Sequence, residues 1–183
     1  METKIRCDKC NGTGRVKLSY SQIVYCDEHF LEIIEKRTRK ELRESSITPK
    51  GEYEIYKEES NEYKLAKYFL DKVFKGRLNI KEVKETNPET IRPTSLDREA
   101  EEFLKSFLED KEYKPKGIPF MRSILEEEIK EVCRILNMKY KERERMKELD
   151  SFEEKYPGTK FSLLKSLKEL ESENPSEIEE KNK

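Results

Sequence analysis

The first thirty residues place three cysteines and the only histidine of the chain in two pairs of fixed spacing. Cys7 and Cys10 form one pair and, after fifteen further residues, Cys26 and His29 form the other. Two ligands separated by two residues can point at one ion from a tight turn, and two such turns supply four tetrahedral nitrogen and sulfur ligands. We therefore predict that these residues bind one structural zinc ion, with no coordination position left open for catalysis.

Metal binding should also drive folding of this amino-terminal module, because so short a segment cannot bury enough apolar surface by itself. The alternative interpretation is three buried cysteines and a surface histidine. The fourth cysteine, Cys133, lies on the apolar face of a predicted helix with no second thiol nearby in sequence. We interpret Cys133 as a small buried hydrophobe rather than a reactive thiol.

Composition limits the rest of the chain to a lean core. Of the 183 residues, 33% are apolar and 43% are charged, and the 39 basic residues balance the 40 acidic ones. Overall charge therefore indicates neither nucleic acid nor membrane binding, and any basic surface must be local. The Lys- and Glu-rich, Gln-poor usage is typical of thermophile proteins. The chain has no membrane-spanning run and no apolar signal region, so we expect it in the cytoplasm.

Hydrophobic spacing predicts a mostly α-helical chain with a small amino-terminal zinc-ribbon module. We expect helices at 27–43, 62–75, 97–110, 123–136, 149–155 and 160–170, and short strands at 18–25, 52–56 and 78–83. The domains then comprise a zinc module with a basic helix (1–44), a linker (45–61), a mainly helical domain (62–170) and a disordered tail (171–183). The sequence leaves open whether the middle of the chain keeps a remnant α/β core with a parallel sheet.

Two helix faces are candidate binding surfaces. The helix after the zinc module carries five cations in eight residues: Lys36, Arg37, Arg39, Lys40 and Arg43. Three of them, Lys36, Lys40 and Arg43, share one face. Such a face can contact RNA phosphates, although a solvated charge run is an equal alternative. The last helix carries an apolar stripe of Phe161, Leu164, Leu167 and Leu170, which we consider a partner-binding face. Packing of this stripe on the chain's own core is the alternative.

Several segments resemble the TtuA-type tRNA 2-thiolation proteins of archaea and the eukaryotic cytosol. The two ligand pairs, with Phe30 and Leu31 after the histidine, resemble the amino-terminal zinc module of that family, which also leads into a basic helix. Weaker matches follow in the same order along the chain: 96–100 resembles the family's HNLDDEA segment, with Thr94 and Ser95 in place of His-Asn, 119–140 resembles a later helix, and 153–161 resembles its Pro-Gly-Thr-Lys segment. The chain is therefore predicted to be a degenerate, truncated relative with a PP-loop-like middle domain.

The departures from this family argue against catalysis. Members of the family carry a glycine-rich phosphate loop, because backbone N–H groups must approach phosphate closely at a helix start. The corresponding stretch here, 59–64, has no glycine and contains two glutamates. The catalytic cysteine pair and the third cysteine that hold the family's iron–sulfur cluster are also missing, and 142–146 stands at the third-cysteine site. The resemblance thus implies a protein that uses structural zinc but neither ATP nor an iron–sulfur cluster.

Two functions follow from the resemblance and the missing motifs. We expect a non-catalytic partner or tRNA-docking subunit of an active tRNA thiolation ATPase, with no membrane and no small-molecule substrate as partner. A stand-alone zinc-ribbon RNA-binding module is the alternative. An enzyme with unrecognised chemistry is less favoured, because acid–base or nucleophilic catalysis needs a positioned His, Cys or carboxylate. The one histidine is assigned to zinc, and the carboxylates show no distinctive spacing.

Overall fold

The computed structural model describes residues 5–45, 47–49 and 51–173 of the chain. Its amino-terminal module consists of a two-stranded antiparallel hairpin, β1 (Val16–Lys17) and β2 (Val24–Tyr25), followed by α1 (Asp27–Glu44). Helix α1 begins where the second ligand pair stands, and Asp27 and Glu28 in its first turn favour the positive end of the helix dipole.

The rest of the chain is a parallel four-stranded sheet with helices. The strands are β3 (Glu52–Tyr56), β4 (Asn79–Val83), β5 (Ile91–Pro93) and β6 (Ile118–Phe120), in the order β4-β3-β5-β6. The helices are α2 (Asn61–Phe74), α3 (Leu96–Leu108), α4 (Glu126–Ile135), α5 (Lys147–Lys155) and α6 (Thr159–Glu173). This confirms the predicted fold class, because helices dominate and the middle of the chain keeps a small α/β core.

The stretch 45–61, which we predicted to be a linker, contains a strand of that sheet. Strand β3 pairs in parallel with β4 over its whole length and with β5 through Ile55 and Ile91, and both of these side chains are fully buried. The strand order therefore reverses at β3, with β4 on one side and β5 on the other. Such a switch point opens a crevice at the carboxyl ends of the two strands.

One hydrophobic core joins the amino-terminal module to the sheet. Phe30 and Ile34 of α1 are fully buried in the same cluster as Leu65 and Phe69 of α2. Helix α1 thus packs on the α/β core rather than standing apart with the hairpin. Burial of two such side chains contributes about 3–6 kcal/mol toward holding the two parts together.

A smaller second core ties α6 to the start of α3 and α4. It contains Leu96, Leu125, Leu164 and Leu167. In the part of the chain that the structure describes, no helix has the length and apolar character needed to cross a membrane. The predicted disordered tail begins within α6 at residue 171, and its positions from 174 onward lie outside the described residues.

Candidate metal centre and the crevice at the sheet edge

The four predicted ligands converge at the junction of the hairpin and α1. The first pair, Cys7 and Cys10, lies on a tight turn. In this turn Cys7 N donates to Gly12 O at 2.8 Å and Asn11 N donates to Cys7 O at 3.0 Å. Cys26 is the N-cap of α1 and His29 follows one turn later. The spacing of both pairs therefore brings the side chains together as the sequence predicts.

The distances among the four donor atoms suit a single ion. The Sγ atoms of Cys10 and Cys26 are 3.9 Å apart, and Nδ1 of His29 lies 3.2 Å from Cys26 Sγ and 3.7 Å from Cys7 Sγ. All four donors lie within 4.8 Å of one another. Tetrahedral zinc, with Zn–S bonds near 2.3 Å and Zn–N bonds near 2.0 Å, places its donors about 3.3–3.8 Å apart. The residues present therefore fit a metal of this size.

The surroundings favour a thiolate at Cys7. Burial is the largest effect on its pKa and acts upward, but hydrogen bonds from the backbone N–H groups of Cys26, Lys9 and Cys10 outweigh it and lower the pKa to about 6. A thiolate is the form that binds metal. By contrast, burial raises the pKa of Cys133 to about 11, which keeps that thiol protonated and unreactive.

Two aspartates beside the ligands brace the module. Asp8 N donates to Val24 O of β2 at 2.9 Å, and the Asp8 carboxylate accepts from Val24 N at 2.6 Å. Asp27 pairs with Arg15 of the module at 3.0 Å and with Arg134 of α4 at 2.7 Å. The hydrogen bond to Arg134 has the larger effect on the pKa of Asp27, and both hydrogen bonds lower it. The metal centre is thereby fixed to the α/β core by charge as well as by apolar packing.

The cations of α1 divide into exposed and structural groups. Lys36, Lys40 and Arg43 are exposed on one face, as the helical spacing predicts. Arg39 is held by Glu35 through two hydrogen bonds. Arg37 points inward, where its guanidinium bonds the buried carboxylate of Glu128 and the carbonyl of Ser123. Arg37 therefore connects α1 to α4 and is not available to an RNA phosphate.

The apolar stripe of α6 packs largely on the protein itself. Leu164 and Leu167 are buried in the second core, and Phe161 packs against Tyr20 with ring centroids 5.1 Å apart. Only Leu170 of the four is exposed. Phe161, Leu164 and Leu167 therefore pack on the chain's own core, which is the alternative that the sequence left open. The residues they face there include Leu96 and Leu125.

Charged side chains of the protein itself surround the start of α2, beside the switch point. Glu58, in the loop after β3, accepts from Arg98 Nη1 at 2.7 Å, and Glu62, in the first turn of α2, lies 3.5 Å from Arg98 Nε. The Oγ of Ser95, the N-cap of α3, donates to Glu62 at 3.3 Å. The Glu62 side chain is 1% exposed. Carboxylates and a guanidinium therefore occupy the place where the first helices after β3 and β5 meet.

A second network covers the same edge from the segment between α4 and α5. Arg143 forms two hydrogen bonds with Glu101 of α3, at 2.7 and 3.2 Å, and one with Glu126 at 3.3 Å. Tyr140 also donates to Glu126, at 2.7 Å. Burial raises the pKa of Glu126. This segment includes 142–146, the stretch that stands at the third-cysteine site of the resembling family.

The Pro-Gly-Thr-Lys segment ends in a buried lysine. Lys160 Nζ donates to Asp97 of α3 and to Asp150 of α5, each at 2.6 Å, and its side chain is 5% exposed. Glu153 receives the backbone N–H groups of Gly158 and Lys160 at 2.6 and 2.8 Å. The segment thus positions a cation that holds three helices together.

Sequence reasoning missed the charged residues that surround the start of α2. It singled out 59–64 for lacking glycine, but it did not pair Glu58 or Glu62 with Arg98. The available signal was a substitution: Arg98 stands where the HNLDDEA segment of the resembling family has its second Asp. Arg98 compensates the negative charge of the two glutamates. The sequence alone does not show this, because Glu58 and Arg98 are 40 positions apart and only the fold brings them together.

Comparison with known proteins gives two informative matches. No family model matches the chain. The tRNA 2-thiolation protein NcsA of Haloferax volcanii is 37% identical over 46 residues, which make up 25% of this chain and 14% of that protein. The U34-tRNA thiolase NcsA from Methanococcus maripaludis, solved with its 4Fe-4S cluster, has the same fold with a TM-score of 0.75. That match covers 93% of this chain and 88% of the thiolase chain, at 15% identity.

The expected absence of an iron–sulfur cluster is contradicted by this comparison. The structurally similar thiolase carries a 4Fe-4S cluster. Cysteine thiolates are the ligands that hold such clusters. Besides buried Cys133, this chain has three cysteines, Cys7, Cys10 and Cys26. The prediction was wrong because it considered only the cluster-binding cysteines at their family positions. It overlooked that the amino-terminal group offers cluster ligands of its own.

The segments that resemble the thiolation proteins and the similarity in fold agree. The curated relative shares only a short segment with this chain, whereas the solved thiolase shares the fold over most of the chain. The resemblance read from the sequence is thus confirmed: a short segment of the chain is similar to a tRNA 2-thiolation protein, and the chain shares the fold of a tRNA thiolase.

Proposed function

We propose that this chain is a non-catalytic, metal-binding relative of the tRNA 2-thiolation enzymes that acts in the cytoplasm as a tRNA-docking partner of an active thiolation ATPase. The observation that carries the proposal is the ion-pair network at the start of α2, beside the switch point of the sheet, where Glu58 and Glu62 share Arg98. Ligands of open α/β sheets bind at this edge, so these paired side chains lie beside the position of a substrate.

Electrostatics oppose a nucleotide triphosphate at this edge. Phosphate binding at a helix start requires free backbone N–H groups and a positive field. Here the loop 57–60 has no glycine, Ser60 caps the N–H of Tyr63, and Glu62 places a buried negative charge in the first turn of α2. Arg98, which lies 3.5 Å from Glu62, is already shared by two carboxylates. A triphosphate would have to displace these pairs and would then face uncompensated carboxylates.

A calorimetric titration with ATP and Mg²⁺ tests this part of the proposal. We expect no binding heat at concentrations where an active thiolation ATPase, titrated in parallel as a control, binds. A micromolar dissociation constant, about −8 kcal/mol of binding free energy, would contradict the proposal.

The exposed cations of α1 support a role in tRNA docking. Lys36, Lys40 and Arg43 lie on one exposed face, and among the described residues the only carboxylate paired with them is Glu44, 3.7 Å from Lys40. Both members of that pair are more than half exposed, so the pair is weak and an RNA phosphate can replace it. Each phosphate contact that is removed should lower the salt dependence of binding by about one unit.

A stand-alone RNA-binding module is the second candidate function. The same exposed face of α1 favours it, since this face needs no partner protein to bind RNA. Affinity purification of the full chain from its native source separates the two candidates. Recovery of a thiolation ATPase together with tRNA would support the partner role, whereas RNA without that enzyme would support the stand-alone module.

The metal centre is proposed as the element that folds the tRNA-docking end. Cys7, Cys10, Cys26 and His29 would hold the metal, which neutralises the thiolates and fixes the hairpin against α1. The donor distances favour one tetrahedral ion such as zinc. Metal and sulfide analysis of protein purified without oxygen identifies the occupant. About one zinc per chain would assign the single-ion site, and iron with equal acid-labile sulfide would assign a cluster to the same thiolates.

A further inference from the structure

The connection between β4 and β5 leaves part of one face of the sheet open. These two strands are parallel and lie on either side of β3, and such a crossover usually takes a dozen or more residues that include a helix. Here the connection is the short segment 84–90, which contains no helix. It is held against β3 by Asn87 Nδ2, which donates to Glu54 Oε2 at 3.0 Å. The sheet beside this segment therefore lacks the cover that a crossover helix provides.

The open face is the one opposite α1 and α2. Ile55 of β3 and Ile91 of β5 are buried in the core that contains side chains of both helices. Because successive strand residues point to opposite faces, Tyr56 and Arg92 point away from that core. Arg92 also bonds Glu99 of α3, which places α3 on this second face. A ligand on the open face would therefore not contact the exposed cations of α1.

A cavity of about 600 Å³ lies on the open face, between α3, the β4–β5 connection and the loop before β6. Pockets that hold small ligands have volumes of about 300–1,000 Å³. The lining has four cations against two carboxylates: Lys84, Arg92, Lys114 and Lys116 against Glu85 and Glu102. This balance of charge favours an anionic ligand.

Two of the four cations are available to such a ligand. Arg92 and Lys114 have carboxylate partners within the chain. Lys84 and Lys116 are exposed, and neither forms a salt bridge with any residue that the structure describes. Lys84 follows β4 and Lys116 precedes β6, which are the outer strands of the sheet. Three strand spacings, about 14 Å, separate these strands, so two phosphates of one nucleic-acid strand suit the lysines better than a single phosphate.

Tyr56 lies on the strand next to β4, between the two free lysines. Its side chain is half-buried and lines the cavity, whereas Tyr53 of the same strand packs against the hydrophobic core. Among the described residues, the Tyr56 side chain makes no hydrogen bond and no ring contact. An aromatic ring that is free on a sheet surface and flanked by lysines is the arrangement that binds unpaired bases by stacking.

We propose that the open face of the sheet binds a short segment of single-stranded RNA, with one base stacked on Tyr56 and phosphates on Lys84 and Lys116. Duplex RNA does not fit this role, because its bases are stacked on each other and cannot reach the ring. Glu85 is a hydrogen-bond acceptor in the same lining and can bond the amino groups of the stacked base. This RNA site is separate from the α1 face that we propose for tRNA docking.

Fluorescence anisotropy of a labelled ten-nucleotide single-stranded RNA, titrated with the full metal-loaded chain, tests the proposal. Tyr56→Ala should weaken binding at least about fivefold through loss of one stacked base, and Tyr56→Phe should keep most of the affinity. Lys84→Gln and Lys116→Gln should each lower the slope of log affinity against log salt by about 0.7. Both lysines are exposed, so these two variants decide the matter if circular dichroism shows that Tyr56→Ala does not fold.

Tyr156→Ala is the matched control, because Tyr156 is 56% exposed and does not line the cavity. The effect of Tyr56→Ala should persist in a chain whose α1 cations Lys36, Lys40 and Arg43 are replaced by Glu, which separates this site from the tRNA-docking face. Lack of RNA binding at 100 μM chain, or equal affinities of the Tyr56→Ala and Tyr156→Ala variants, would overturn the proposal. So would equal binding of the same RNA as a duplex. AMP that binds as tightly as the RNA would overturn it too and assign the cavity to a mononucleotide.

Discussion

Replacing Glu41 by glutamine should stabilise the protein at alkaline pH. Glu41 lies on α1 and is 4% exposed. Its Oε2 accepts a hydrogen bond from Ser123 Oγ at 3.2 Å, while Oε1 has no hydrogen-bond partner among the described residues. The nearby cations Arg122 and Lys168 are engaged by Glu171 and Glu44. Among the described residues, an ionised Glu41 is therefore buried without a salt bridge of its own.

The size of the effect follows from the pKa of this carboxyl group. Burial, opposed in part by Ser123, Arg122 and Lys168, raises the pKa of Glu41 from 4.5 to about 7. Below pH 4.5 the group is protonated in both the folded and the unfolded chain. As the pH rises from 4.5 to 7, the unfolded chain loses this proton while the folded chain keeps it, so stability falls. Above about pH 7 the cost is constant at about 3 kcal/mol, an upper limit because local relaxation reduces it.

Urea denaturation of the wild type and the Glu41→Gln variant at pH 5 and pH 8 measures this effect. We expect the variant to gain up to about 3 kcal/mol relative to the wild type at pH 8, and to differ by less than about 1 kcal/mol at pH 5. Glu44→Gln, at an exposed carboxylate one turn further along α1, is the control for loss of charge. An equal difference at both pH values, or a variant that is less stable at pH 8, would refute the reasoning.

Three other variants test the fold and the exposed face of α1. Lys160→Met should destabilise the fold by about 3–5 kcal/mol in urea, because it leaves Asp97 buried without its cation and releases Asp150. Gly117→Ala should cost more than about 1 kcal/mol in the same assay, since Gly117 has a φ of +91° and an added Cβ would meet Thr90 O. Replacing all three exposed cations of α1, Lys36, Lys40 and Arg43, by Glu should lower both the tRNA affinity and the salt dependence of binding in filter-binding titrations. Unchanged binding would exclude this face as a tRNA contact.

Local signals explain what could be predicted from the sequence. Helix α2 was expected at 62–75 and lies at Asn61–Phe74, because its apolar residues repeat at helical spacing and Gly76 follows it. The four candidate metal ligands could be predicted to lie together for the same reason, since each pair is fixed by a turn of a few residues. Strands β5 and β6 were missed because each has three residues, one of them a proline, and only pairing with each other and with β3 makes them strands.

Long-range pairing explains what the sequence could not show. Arg37 was one of the five cations of α1 considered for RNA contact, yet it bonds Glu128, which is 91 residues further along the chain. For Leu164 and Leu167 the sequence left open whether they contact a partner or the chain's own core, and only the positions of Leu96 and Leu125 decide it. Spacing along one helix identifies a face, but it does not reveal which other element covers that face.

Mass spectrometry of tRNA nucleosides tests the central claim most directly. Purified, metal-loaded chain would be incubated without oxygen with tRNA, ATP, Mg²⁺ and sulfide, beside an active thiolation enzyme as positive control. The account predicts no 2-thiouridine above the protein-free background from this chain alone, because Glu58, Glu62 and Arg98 form ion pairs at the start of α2, where the nucleotide would bind. Formation of 2-thiouridine that requires both ATP and this chain would contradict the account and show that the protein is itself a thiolase.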